Sequence, residues 1–255
     1  MPLHKAFKFS IVIACVTWLS FLTILAEASV VIGGTRVIYG ASEPEVTIKL
    51  SNEGQSPALV QSWVDAGDAK SAPTTAKVPF VVTPPISRID PTKSQTLRIV
   101  YTGQALPQDR ESMFWLDVLE IPPKPNAADA DMNQIQLAFR SRIKLFYRPD
   151  NLNGTSADAP TQLVWRLSQA NGKMALEARN PTPYYVSVIG ITLQSGARKV
   201  IANDSGTVNP GGVHMFPLSG NPLEVVGAIV HYTTLNDYGA SVNGETPLRG
   251  TTSSK

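Results

Sequence analysis

Polar and apolar residues alternate with a period of two along much of this chain. Glu45-Val46-Thr47-Ile48-Lys49-Leu50 puts Val46, Ile48 and Leu50 on one face of an extended segment and the polar residues on the other, the pattern of a half-buried β-strand. The run stops at the turn cluster Ser51-Asn52-Glu53-Gly54. Ala58 to Val64, with Trp63, reads as the next strand, and Val78 to Thr83 as another that ends at Pro84-Pro85. Gln95 to Val100 alternates again, and Met113 to Ile121 stops at Pro122-Pro123. Lys124 to Asn133 has the composition of a solvated loop, and Gln134 to Tyr147 follows as a long strand.

About seven strands over the first part of the chain fit an antiparallel sandwich. Arg148 to Gly154 then has linker composition, with polar sequence to Thr161. A second strand series occupies Leu163 to Trp165, Met174 to Ala178, Tyr184 to Leu193, Val213 to Leu218 and Ala228 to Tyr232. No stretch carries a sustained helical apolar stripe. The pattern predicts an all-β protein with domains at 29–149 and 161–248, a linker at 150–160 and a frayed polar tail at 249–255.

The first residues belong to a different class of segment. His4, Lys5 and Lys8 precede an apolar run from Phe9 to Leu25, and Ala26-Glu27-Ala28 supplies small residues at the −3 and −1 positions of a cleavage site. Residues 1–28 are therefore expected to be a secretory signal cut near Ala28/Ser29, although the run is also near the lower length limit of a membrane anchor. Loss of Lys5, Lys8 and Glu27 takes the formal net charge from +2 to +1, which leaves no electrostatic footprint for nucleic acid. The one cysteine, Cys15, lies within the signal, so the mature chain has neither disulfides nor thiolate metal sites.

Candidate chemistry is sparse. The mature chain has His214 and His231 only, with no H-E-x-x-H or G-x-S-x-G motif and no phosphate-cradling loop. Asp109 and Glu111 are close in sequence but are not read as a catalytic carboxylate pair. No catalysis, cofactor, metal or small-molecule substrate is expected.

Several segments carry a family resemblance. Leu106 to Trp115, with Asp109-Arg110-Glu111-Ser112 inside it, continues through Glu120-Ile121-Pro122-Pro123. Ile143 to Pro149, Asn180 to Val186, Asn236-Asp237-Tyr238-Gly239, Thr83-Pro84-Pro85 with Arg88, and Thr35-Arg36 follow the same family's order. Together they resemble the PapD-like periplasmic pilus chaperones over nearly the whole mature chain. Two departures stand out: Asp117 where that family commonly has Asn, and no cysteines for the second-domain disulfide some members carry.

The resemblance implies two immunoglobulin-like sandwiches in a boomerang with a cleft between them. It implies a periplasmic chaperone that completes an unfinished pilus subunit with a strand of its own and passes it to an outer-membrane usher. The lending strand would be Gln134 to Ile143, with Ile135, Leu137 and Phe139 on the face that fills the subunit groove. Arg36 and Lys144 would grip the subunit's C-terminal carboxylate. Glu111, Arg148 and Asp237 would form an ionic network between the domains. Strand parity sets Lys144 opposite to Ile135, Leu137 and Phe139, so either a bulge intervenes or the cleft is reached from the other face. The short 124–133 loop resembles the short-loop subgroup, whose members typically serve rod-like adhesive pili. An apolar lending edge also invites a self-capping dimer. The alternative class is a structural or adhesive immunoglobulin-like surface module or a pilus subunit.

Overall fold

The computed structural model describes residues 29–122, 136–170, 173–202, 204–219 and 227–248, and among these the regular secondary structure is almost wholly strand. The first half contains β1 (Val30–Ile32), β2 (Arg36–Gly40), β3 (Val46–Asn52), β4 (Ala58–Asp65), β5 (Phe80–Thr83), β6 (Ile86–Ile89), β7 (Ser94–Tyr101), β8 (Ser112–Ile121) and β9 (Phe139–Arg148). They form two sheets, ordered β1-β3-β7-β5 and β2-β9-β8-β4-β6. The alternation expected of Glu45 to Leu50 is realised in β3, which runs on through Asn52: Ile48 and Leu50 point inward, Thr47 and Lys49 outward. Leu50, Leu97 and Ile99 of one sheet meet Val60, Leu116 and Leu145 of the other, each burial contributing about 1.5–3 kcal/mol relative to exposure.

The second half contains β10 (Val164–Ala170), β11 (Lys173–Arg179), β12 (Val186–Ser195), β13 (Arg198–Ala202), β14 (Gly206–Val208), β15 (Val213–Pro217), β16 (Ile229–Leu235) and β17 (Ser241–Pro247). One sheet runs β10-β11-β15, and the other β13-β12-β16-β17 with β14 also paired to β12. A separate core gathers Trp165, Leu176, Phe216, Leu193, Val230 and Tyr232. Two sandwiches with two cores give the all-β architecture expected from the strand pattern and the immunoglobulin-like form implied by the resemblance.

At the end of the expected linker, Ala159–Gln162 forms a 3₁₀ turn whose Ala159 is fully buried in the second core. Tyr184 and Tyr232 donate hydroxyl hydrogen bonds to the carbonyls of Gly154 and Pro160 at 2.9 and 3.1 Å. This polar segment is therefore docked on the second sandwich.

Two buried asparagines brace loops in place of backbone pairing. Asn52 donates to the carbonyls of Ser56 and Ile89 at 2.9 and 2.8 Å and accepts from Gly54 N–H. Asn180, in the Asn-Pro-Thr-Pro-Tyr-Tyr segment, donates to the carbonyls of Tyr184 and Val208 at 2.6 and 3.1 Å and accepts from Thr182 N–H. Both satisfy loop carbonyls that burial would otherwise leave unpaired.

The long strand expected from Gln134 begins instead at Phe139 among the described residues. Its partner accounts for this. β8 pairs with β9 from Ser112↔Tyr147 to Glu120↔Phe139 and itself ends at Ile121 before Pro122, so the ladder that defines β9 begins at Phe139.

Candidate functional site between the two sandwiches

β9 is the element that organises the site. Its odd residues Ile143, Leu145 and Tyr147 pack into the first core, so its even residues Arg140, Arg142, Lys144, Phe146 and Arg148 stand on the outer face of the sheet. That outer face meets the second sandwich at Phe146, whose ring lies 5.6 Å from Tyr185. The pairing with β8 has no register shift. Of the two ways to bring Lys144 to the cleft, approach from the even face is the one observed, and no bulge is needed.

Arg36 and Lys144 are brought together. β2 runs parallel to β9, with Arg36 the register partner of Lys144. Arg36 Nη1 donates to the Leu235 carbonyl at 3.3 Å, and its guanidinium lies 5.8 Å from the Phe146 ring centroid. Lys144 Nζ donates to Thr207 Oγ1 and sits 5.6 Å from the Trp115 ring. Both cations thus reach from the first sandwich to the second. Arg36 Nε is buried with no hydrogen-bond partner. Burial lowers the pKa of Arg36, partly opposed by Asp237 and Glu111. Burial and then the Arg36 charge lower that of Lys144. Two half-buried cations, each disfavoured in its charged form, have a strong preference for an anion placed between them.

The three predicted network residues also meet. Arg148 Nε donates to Glu111 Oε1 at 2.7 Å, while Nη1 and Nη2 donate to the two oxygens of Asp237 at 2.7 and 2.9 Å. Ser156 Oγ donates to Asp237 Oδ2 at 2.8 Å, and Tyr185 N–H to Glu111 Oε2 at 2.7 Å. Burial raises the Glu111 pKa despite Arg148. Burial also opposes the charges of Arg148 and Asp237, yet their mutual pairing raises the first and lowers the second. Gly239 closes the Asn236–Gly239 turn at φ 78°, and a Cβ there would collide with Thr35 Oγ1; glycine alone lets that turn lie against the strand entering Arg36. A cavity of about 230 Å³ between the sandwiches is lined by Arg36, Arg148, Phe146, Tyr185, Leu235 and Asp237.

Of the expected lending-strand residues, Phe139 opens β9 and Leu137 lies just before it. Ile135 is outside the described residues. Leu137 and Phe139 are 61% and 53% exposed, and neither joins the cation pair or the ionic network. From Phe139 to Ile143, β9 has β8 on one side and, among the described residues, no strand on the other, since β2 begins pairing at Lys144.

A further cluster was not anticipated. Asp65 and Asp117 lie beneath Arg140 and Arg142, which stack on Trp63 and Trp115. The alternating cations at 140, 142 and 144 were the available signal, because a strand that carries three cations on one face needs acids from its neighbours. The histidines make no such constellation: His231 pairs with exposed Glu245 at 3.3 Å, and His214 packs on Phe216.

Two immunoglobulin-like sandwiches joined across a cation pair and a bidentate arginine define a class, and the family models agree with it. Residues 29–153 match the pili and flagellar-assembly chaperone PapD N-terminal domain, and residues 158–246 match the pili assembly chaperone PapD C-terminal domain. The chain belongs to the PapD-like pilus chaperone family. Among its relatives is the probable fimbrial chaperone YadV of Escherichia coli, 45% identical over 240 residues, spanning 91% of this chain and 97% of that one. The chaperone protein FimB/FhaD of Bordetella pertussis is 44% identical over 239 residues and 91% of each chain. The Salmonella enterica SafB chaperone, solved in complex with the SafA pilin, superposes with a TM-score of 0.71 at 29% identity, over 86% of this chain and 96% of that one.

Proposed function

We propose that this chain is a periplasmic, non-enzymatic chaperone that captures a pilus subunit by donor-strand complementation and delivers it to an outer-membrane usher. Residues 1–28 export it and are removed near Ala28/Ser29. The mature protein then works as two units, 29–149 and 161–248, joined by 150–160 and ending in the 249–255 tail.

In this reading Gln134 to Ile143 adds to the subunit's open sheet, with Ile135, Leu137 and Phe139 entering its groove. Three such side chains contribute roughly 1.5–3 kcal/mol each before the costs of association. Arg36 and Lys144 take the subunit's terminal carboxylate, the guanidinium through two hydrogen bonds and the ammonium as a point charge. Glu111, Arg148 and Asp237 hold the angle between the units. The SafB–SafA complex supports capture of a pilin by a relative of this fold.

The observation that carries the reading is the adjacency of Arg36 and Lys144 at the point where β9 passes from a two-sided to a one-sided strand. Its test is co-purification from the native periplasm with tagged wild type and Leu137→Arg. Leu137 is exposed, so the variant is expected to keep its circular dichroism spectrum and lose the subunit. A folded variant that still brings down the subunit removes the lending-strand assignment.

A further inference from the structure

The exposed half of β9 poses a mechanical difficulty. From Phe139 to Ile143 it is held through the β8 ladder alone among the described residues, and one-sided strand ends open readily. A strand that must present side chains to a partner in fixed register loses affinity if it first has to be ordered.

Its even face carries the compensation. The Arg140 guanidinium lies 4.7 Å from the Trp63 ring and that of Arg142 4.9 Å from the Trp115 ring. Arg142 Nη2 contacts both oxygens of Asp65 at 2.8 and 2.7 Å, and Arg140 Nε donates to Asp117 Oδ1 at 2.7 Å. Arg142 Nε lies 2.9 Å from the same Asp117 oxygen, and Arg140 Nη1 donates to the Ala69 carbonyl at 2.8 Å. The two acids are 1% and 0% exposed and come from different strands: Asp65 from β4, Asp117 from β8 opposite Arg142. Three strands are thereby tied together under the part of β9 that lacks a second neighbour.

We propose that Asp65 and Asp117 are positioning residues for the subunit-binding strand, clamping residues 140–144 to the sheet through Arg140 and Arg142. The proposal rests on the strand-lending reading for its purpose, but its geometry belongs to the free chaperone.

The two acids are not equivalent. Asp65 accepts from Arg142, from Arg140 at 3.4 Å and from Gly67 N–H at 2.5 Å. Asp117 Oδ2 is buried with no partner. The charged groups facing Asp117 are Asp65 from β4 and Arg140 and Arg142 from β9, with Lys144 one step further along. Burial and the neighbouring Asp65 carboxyl push Asp117 up to about 6. Asp65 is held below the usual range by its donors although burial opposes this. One carboxyl of a close pair takes the proton first, and Asp117 is that one.

Peeling β9 away takes both guanidiniums from the two acids at once, so the ion pairs and the stacking on Trp63 and Trp115 all oppose it.

Amide hydrogen exchange of the free mature protein at pH 7.5 tests this, with the β3 amides of the same sample as reference. Asp65→Asn is expected to lower the protection of the β9 amides at 140–144 about 10-fold, because Arg142 loses its two-oxygen partner. Asp117→Ala, which removes the acceptor of Arg140 Nε, is expected to lower it similarly. Wild-type protection at 140–144 relative to β3 in either variant overturns the proposal. Exchange is read without any subunit, so a failed subunit capture bears on the function and leaves this result standing on its own.

Discussion

Arg36 and Lys144 are register partners in a parallel strand pair, so two cations stand side by side at the boundary between the sandwiches. Neither has a carboxylate partner within 4 Å among the described residues. Lys144 in particular holds its charge against burial and against Arg36. A bound carboxylate removes that penalty, so binding is accompanied by proton uptake at alkaline pH.

The first prediction concerns that proton. A subunit-derived peptide with a free C-terminus is expected to bind progressively more weakly as pH rises toward 10.5, the ordinary lysine value. The same peptide with an amidated terminus is expected to bind weakly and without this slope. Titration calorimetry in buffers of different ionisation enthalpy reads both. Lys144→Ala is expected to reduce affinity for the free-acid peptide by about 10- to 100-fold, the worth of a hydrogen bond to a charged group.

The second concerns the angle between the sandwiches. Asp237→Asn leaves Arg148 with one carboxylate, Glu111, instead of two, and about 1.5–3 kcal/mol of charge-assisted bonding is expected to go with it. Small-angle scattering is expected to show a broader distribution of interdomain distances, with each sandwich still folded. The pH dependence has a definite sign. Asp237 titrates below its ordinary 3.8 in the folded protein. Its contribution is therefore fully present above about pH 4 and is lost as pH falls through the depressed value. The Asp237→Asn variant is expected to lack that part of the acid-unfolding profile.

How much of this was legible in the sequence depends on whether a feature is local. Val46–Asn52 and the core face of β9 follow from alternation alone, because burial on one side of a strand imposes the period. The resemblance grouped Glu111, Arg148 and Asp237, although they lie far apart along the chain. Strands β6, β13 and β17 were not legible. β6 begins directly after Pro84-Pro85, where proline signals an end, and β17 is polar and largely exposed on both faces. The Asp65–Asp117 pair was hidden for another reason: it is created by the pairing of β4 with β8 and β9, and no spacing along the chain records it. Asp117 was visible only as a departure from the family's usual residue.

The third prediction concerns the start of the mature chain. Glu120 accepts from the Ser29 hydroxyl and from Val30 N–H at 3.1 Å, tying the start of β1 to the end of β8 opposite Phe139. Glu120→Gln is expected to cost about 1–2 kcal/mol, a fall in Tm of roughly 2–8 °C by calorimetry. An unchanged Tm means that this contact does not contribute in solution.

The fourth follows from the buried carboxyl pair. Asp117 titrates at about 6 when folded and ordinarily at 3.8, so its ionisation lowers stability above pH 6 and the penalty is relieved as pH falls through 6. Asp117→Asn is expected to raise Tm at pH 7.5 and to give a smaller gain at pH 5.0. Parallel thermal melts at the two pH values check this.

The central claim is tested most directly by affinity purification of the tagged mature chain from its native periplasm beside Lys144→Ala, with mass spectrometry of what comes down. The account predicts a small secreted pilus subunit with the wild type and its loss with the variant. Equal recovery by both contradicts the carboxylate grip, and no subunit with either, while the pilus genes are expressed, contradicts the chaperone reading itself.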